Sequence, residues 1–188
     1  MKDKNLELRM YFFVPFNIDN IYKGIQAGHV ALEYAHEYGE TELFKDFVDN
    51  WKTWIILNGG TTNNTLIPND DNTRMIRAGS LNQIKEELKL AEIRFSEFRE
   101  PDLNDALTSV CFICDERVFN RKDYPDFKFY LLDKVEIKFG NTEANRLALF
   151  PEEYLIKSNP DNYDEWVELM GGEKNVFLRE LIKDKKLA

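Results

Sequence analysis

The chain has 188 residues, 43% of them apolar, with 14 Phe and 8 Tyr, enough to pack one domain and an extension. Its 34 acidic residues outnumber its 25 basic ones for a net charge of −9, which excludes a broad basic surface and makes any RNA contact a local one. No apolar run reaches the roughly 18 residues of a membrane helix, and the charged start Met1-Lys2-Asp3-Lys4-Asn5 does not read as a signal peptide.

The first element is a strand, Leu8 to Phe16, apolar almost throughout and hence central in a sheet. A helix follows from Tyr22 to Tyr38 and ends at Gly39. Gly24, Ala27 or Gly28, Ala31 and Ala35 recur on it at helical spacing, predicting a narrow stripe packed closely on the sheet. By that reading a large side chain at Gly28 or Ala31 overpacks the contact. Gln26, His29, Glu33 and Glu37 fall on another, polar face, beside a helix N-terminus suited to a phosphate or ester oxygen. Taken alone, the same pattern also describes an ordinary packing helix with a wet face.

A second helix is expected over 42–50 and a second strand at Trp54-Ile55-Ile56-Leu57. The next 20 or so residues are polar and turn-rich, although Thr65-Leu66-Ile67 and Arg74-Met75-Ile76-Arg77 can pair as short edge strands. Arg74 and Arg77 are the phosphate-contacting candidates of this stretch, which otherwise reads as a surface insertion. Ser80 and Gln83 have the spacing of a capping box, opening a helix with Leu81, Ile84, Leu88 and Ala91 inward. A third strand over 93–98, an acidic loop over 99–105 and a fourth strand over 106–114 complete a βααβαββ order. Cys111 and Cys114 have C-x-x-C spacing, but strand alternation sends them to opposite faces, so neither a disulfide nor a metal site is expected.

Beyond residue 115 the pattern changes. Residues 129–139 suit a strand or short helix, 142–150 a helix and 151–164 irregular chain. After Gly171-Gly172 comes a last helix over 173–186 with Val176, Phe177 and Leu181 as its apolar side. The division is therefore a core, 1–115, and an α-rich C-terminal extension, 116–188, packed on it.

Three segments together resemble the archaeal/eukaryotic-type (type 2) peptidyl-tRNA hydrolases, most nearly their bacterial and phage-borne branch. They are Gln26-Ala27-Gly28-His29-Val30-Ala31-Leu32-Glu33, Trp54-Ile55-Ile56-Leu57, and Phe98-Arg99-Glu100-Pro101-Asp102-Leu103 followed by Leu107-Thr108-Ser109. The likeness covers about residues 8–115. It implies an α/β fold, a three-layer α/β/α sandwich with a mixed four-stranded sheet, and hydrolysis of the ester between a peptidyl or N-blocked aminoacyl group and the tRNA 3′ end. It implies no metal or other cofactor.

In that family a lysine before the helix motif, an aspartate after the third strand and a threonine form the site. Here the lysine position falls on Tyr22, with Lys23 next, and the aspartate position falls near Glu100 or Asp102. The D-A-G-x-T-Q run is absent and the nearest threonine is Thr108. With the resemblance, Tyr22, Lys23, Glu100 and Asp102 are the catalytic candidates and Gln26, His29, Arg99 and Thr108 the substrate-binding ones, joined by Arg74 and Arg77 of the polar stretch. If the first and third strands are parallel, Tyr22, Lys23, Gln26, His29, Glu100 and Asp102 emerge at one edge of the sheet. The partner is then a tRNA 3′ end or a nucleotide in the cytoplasm, with a homodimer left open. A second reading keeps the fold and cleft for binding without turnover, as in a phage host-takeover or counter-defence factor. A third makes the extension an interaction surface.

Overall fold

A computed structural model describes residues 6–68, 73–131 and 160–188. The chain divides into two compact units, one formed by Met1–Asp115 with Leu181–Ala188, the other by Glu116–Glu180.

The first unit is an α/β sandwich around a four-stranded mixed sheet of order β2-β1-β6-β5. Its strands are β1 (Leu8–Pro15), β2 (Thr53–Gly60), β5 (Phe95–Glu100) and β6 (Ala106–Asp115). β1 and β6 are central and buried on both faces, as continuous apolar runs dictate. β1 pairs with β2 in parallel and with β6 antiparallel, and β6 pairs antiparallel with β5. The first, second and β5 strands therefore run the same way, and their carboxyl ends share one edge of the sheet.

Helices cover both faces. On one lie α1 (Asn20–Tyr38) and α2 (Glu42–Asp46), the latter running into a π-helical turn, Phe47–Trp51. Ala27, Val30 and Tyr34 of α1 and Phe47 close over Leu8, Met10 and Phe12 of β1 and Cys111 and Ile113 of β6. On the other face is α3 (Ser80–Leu90), burying Leu81, Ile84 and Leu88. Lys85 of α3 reaches Glu97 of β5 at 3.5 Å.

Two expectations about helices are corrected. The buried face of α1 is Gln26, Ala27, Val30 and Tyr34, so the small-residue stripe packs on the sheet only in part, through Ala27 and Ala31, and not through its glycines. A Cβ at Gly24 or Gly28 would meet no neighbouring atom within 4 Å, so Gly28 is not a site of close packing. The capping box at Ser80 does not form either. Gly79 is the N-cap of α3, the Ser80 hydroxyl accepts the Thr61 N–H at 2.9 Å, and Gln83 donates to the Ala78 carbonyl. Ser80 is used to hold the end of β2 rather than its own helix.

The segment after β2 folds as an antiparallel hairpin of β3 (Thr65–Pro68) and β4 (Arg74–Arg77), a separate two-stranded sheet. At the opposite end of the chain, the Lys186 carbonyl accepts from Asn58 and the Ala188 N–H donates to Ile56, bonding the tail antiparallel along the outer edge of β2.

The second unit holds α4 (Glu116–Phe119), α5 (Pro160–Leu169) and most of α6 (Glu173–Ile182). The expected irregular stretch thus turns helical at Pro160, and the last helix ends at Ile182 rather than 186. Residues 132–159, which include the helix expected over 142–150, lie outside the described residues. Phe127, Leu131, Trp166, Val167 and Met170 form an apolar cluster. Gly171 and Gly172 join α5 to α6 at φ of 86° and 102°, a backbone that glycine adopts without strain. The α6 side chain buried most deeply is Arg179, which donates to Asp126 Oδ1 at 2.7 Å and to the carbonyls of Tyr124 and Arg117.

Among the described residues no helix is long and apolar enough to cross a membrane.

Candidate active site

A cleft of about 570 Å³ opens at the carboxyl ends of β1 and β5, lined by Ile18, Asp19, Tyr22, Ile25, Gln26, Glu100, Asp102, Leu103 and Thr108. The loop after β1 and the first turns of α1 supply one wall. The end of β5 and the 3-10 turn Pro101–Leu103 supply the other.

Gln26 is the polar centre. Its side chain is buried, its Nε2 donates to Glu100 Oε2 at 2.7 Å, and its Oε1 accepts from the Thr108 hydroxyl. Its backbone carbonyl accepts from the Ser109 hydroxyl at 2.8 Å. Both ends of the amide are therefore fixed, and with them the Glu100 carboxylate. The second carboxylate oxygen of Glu100 has no hydrogen-bond partner among the described residues.

A β-bulge makes this arrangement possible. Along β6, Ser109, Cys111 and Ile113 share the α1 face, and strict alternation would turn Thr108 to the α3 side. The register with β5 slips between Phe98 and Arg99: Phe98 pairs with Ser109, but Arg99 pairs with Leu107. Thr108 is the extra residue, and the bulge swings it back towards α1. Adjacent residues 108 and 109 thus both bond to Gln26. On β5 the alternation is unbroken, so Ser96, Phe98 and Glu100 face α1. There they meet the polar face of α1: Ser96 donates to Glu37 at 2.7 Å, and Phe98 stacks on His29 with ring centroids 4.5 Å apart.

Of the candidate residues, the cleft brings together Tyr22, Gln26, Glu100, Asp102 and Thr108. Lys23 does not line it; its ammonium donates to Asn20 Oδ1 at 3.1 Å. His29 is committed to Phe98. Arg99 pairs with Glu97 at 2.8 Å and donates to the Asp105 carbonyl. Arg74 and Arg77 lie on the hairpin, on opposite faces by the register of its ladder.

The α1 N-terminus also departs from expectation. Asp19 is its N-cap, accepting the Ile21 N–H at 3.0 Å, so a carboxylate already occupies the position read as an anion site. With Asp19, Glu100 and Asp102 in the lining and no cation among its described residues, this lining repels phosphate. Ile18, Ile25, Leu103 and the ring of Tyr22 give it apolar walls.

Asp19, Ser96 and Ser109 were not singled out from the sequence. Asp19 carried a readable signal, an aspartate just before the helix. Ser109 did not, because its partner is a backbone carbonyl.

Cys111 and Cys114 are free and buried on opposite faces of β6. Burial pushes both thiols well above their ordinary range. Among the described residues no group of three or more His, Cys, Asp or Glu is placed to hold a metal ion. No protein-family model matches the chain, and no curated protein matches it in sequence.

Proposed function

We propose that the chain is a peptidyl-tRNA hydrolase-like enzyme of the cytoplasm, cleaving the ester that joins a peptidyl or N-blocked aminoacyl group to the tRNA 3′ end. The observation that carries this reading is the Thr108–Gln26–Glu100 relay at the floor of an apolar-walled cleft. A carboxylate held through one oxygen keeps the other to accept a proton from water. That water attacks the ester carbonyl carbon while its proton passes to Glu100. The Tyr22 hydroxyl is the lining donor suited to the developing oxyanion. As the bond to the ribose 3′ oxygen breaks, Glu100 returns the proton to that oxygen. The acyl side chain packs against Ile18, Ile25 and Leu103, and Asp102 faces the polar end of the substrate.

Incubation with N-acetyl-aminoacyl-tRNA, with and without EDTA, tests this. Wild type should release product in both conditions. Glu100→Gln should lower kcat by about 10²–10⁴, the usual contribution of a general base. A protein that releases no more product than buffer sinks the enzyme reading.

A second reading, binding without turnover, is favoured by the lack of a cation among the described lining residues of the cleft, the Lys23 ammonium being engaged by Asn20. Under that reading the acyl-adenosine end binds the cleft and leaves intact.

A further inference from the structure

A second cavity, of about 340 Å³, opens beside the β3–β4 hairpin. Its polar lining among the described residues is Thr61, Asn63, Thr65, Arg77, Ser80 and Gln83, and no carboxylate is among these. The hydroxyls have spare protons. Ser80 Oγ accepts the Thr61 N–H at 2.9 Å and Thr61 Oγ1 accepts the Asn63 N–H at 3.1 Å. A hydroxyl that only accepts keeps its O–H for another acceptor. Arg77 forms no ion pair among the described residues.

The ladder register decides which arginine belongs here. Thr65 pairs with Arg77 and Ile67 with Met75, on one face; Leu66 pairs with Ile76 and Pro68 with Arg74, on the other. Thr65, Ile67 and Arg77 all line the cavity, and Arg74 does not. The cavity therefore presents donors and a cation to a ligand that only accepts. Phosphate oxygens meet that description. The ester cleft is its complement in charge: its described lining has three carboxylates and no cation.

Both openings follow the carboxyl ends of parallel strands. The loop after β1 and the end of β2 are tied by the Phe16 N–H to the Gly60 carbonyl at 2.9 Å. From β5 to β2 is three strand spacings, roughly 15 Å at ~4.8 Å each. A few nucleotides span that distance.

We propose that this second cavity holds a backbone phosphate of the single-stranded RNA end whose ester occupies the first cleft, with Arg77 as its ion-pairing residue. The proposal rests on the acyl-tRNA reading of the ester cleft, but it has its own readout.

The experiment is fluorescence anisotropy of a labelled single-stranded RNA ending in CCA, titrated with the full chain at several salt concentrations. Arg77→Gln should weaken binding by about tenfold and flatten the log–log salt slope by about 0.7, one phosphate contact. Arg74→Gln removes the same charge from the opposite face and should leave both within twofold. Both positions are exposed, and unchanged melting of the variants confirms that they fold. Equal losses in the two variants, no loss in either, or a wild type that takes a phosphopeptide but no RNA would overturn the phosphate site. If RNA binds through Arg77 but no ester is cleaved, the hydrolase reading falls and the phosphate site stands. If esters are cleaved but Arg77→Gln leaves KM for an acylated CCA end unchanged, the reverse holds.

Discussion

Gln26 is held by Thr108 and Glu100 through its side chain and by Ser109 through its carbonyl. A buried amide with both ends engaged is costly to remove, because its partners stay behind. Gln26→Leu keeps the volume but leaves the Thr108 hydroxyl only the Phe98 carbonyl, at 3.4 Å, and takes the donor from one Glu100 oxygen. It should cost about 1–3 kcal/mol in urea unfolding, and Glu100, no longer oriented, should lose function along with it. Several cleft residues were legible in the sequence: Tyr22, Gln26, Glu100, Asp102 and Thr108 follow from the resemblance. The relay joining them was not. It depends on a one-residue slip at Thr108, and a bulge leaves no mark on hydrophobic periodicity.

The buried thiols set a second expectation at this scale. Burial raises the pKa of Cys111 and Cys114, and likewise of the Tyr11 and Tyr34 phenols. The native state holds these protons more tightly than the unfolded chain does. Stability is therefore intact below the unfolded-state values, 9.0 for the thiols and 10.0 for the phenols, and is lost as pH rises past them. Above about pH 9 each thiol should remove roughly 1.4 kcal/mol per pH unit. Urea titrations from pH 7 to 11 would show the decline; a flat profile would mean that the thiols reach solvent.

At the scale of elements, α1 shows how period and face can be read apart. Its helical period and its end near Tyr38 were legible. Its inward face was legible only in part, Ala27 and Ala31 packing on the core while the glycines do not, because small residues imply close packing only where something packs against them. Val30 and Tyr34, larger and fully buried, mark the true contact, and Gly24 and Gly28 look outward. Gly28→Ala should therefore stabilise the protein by about 0.5–1 kcal/mol, the helix-interior cost of glycine. A lower melting temperature would mean that α1 packs more tightly at Gly28 than the open space around it implies. The hairpin was legible as two short strands because two brief apolar runs, Leu66-Ile67 and Met75-Ile76, are bounded by turn signals. The Ser80 capping box had the right spacing, but the tertiary bond from Thr61 outcompeted the local one.

In the whole molecule, the mixed sheet and its flanking helices follow from the order of apolar runs, and the structure has them. Less was legible after residue 115. Arg179 anchors the second unit by four bonds, counting the one its carbonyl accepts from Arg121. From sequence an arginine on a helix reads as solvated, since burial of that charge requires partners that are distant in the chain.

The tail on β2 has a consequence in time rather than in space. Leu57 and Leu187 are bridged across 130 residues of chain, the difference of their numbers, and Leu187 is 75% exposed. Few contacts hold this closure, so it opens far more often than the pairing of β1 with β6. The Asn58 amide should exchange with deuterium orders of magnitude faster than the amides of Phe12 and Phe112, and equal protection would show the tail to be as firmly held as the core. While the tail is away, the outer edge of β2 is an unpaired strand with Trp54 beside it. The tail is thus an intermittent guard. The fraction of time it is absent sets how often another extended segment can add to this sheet.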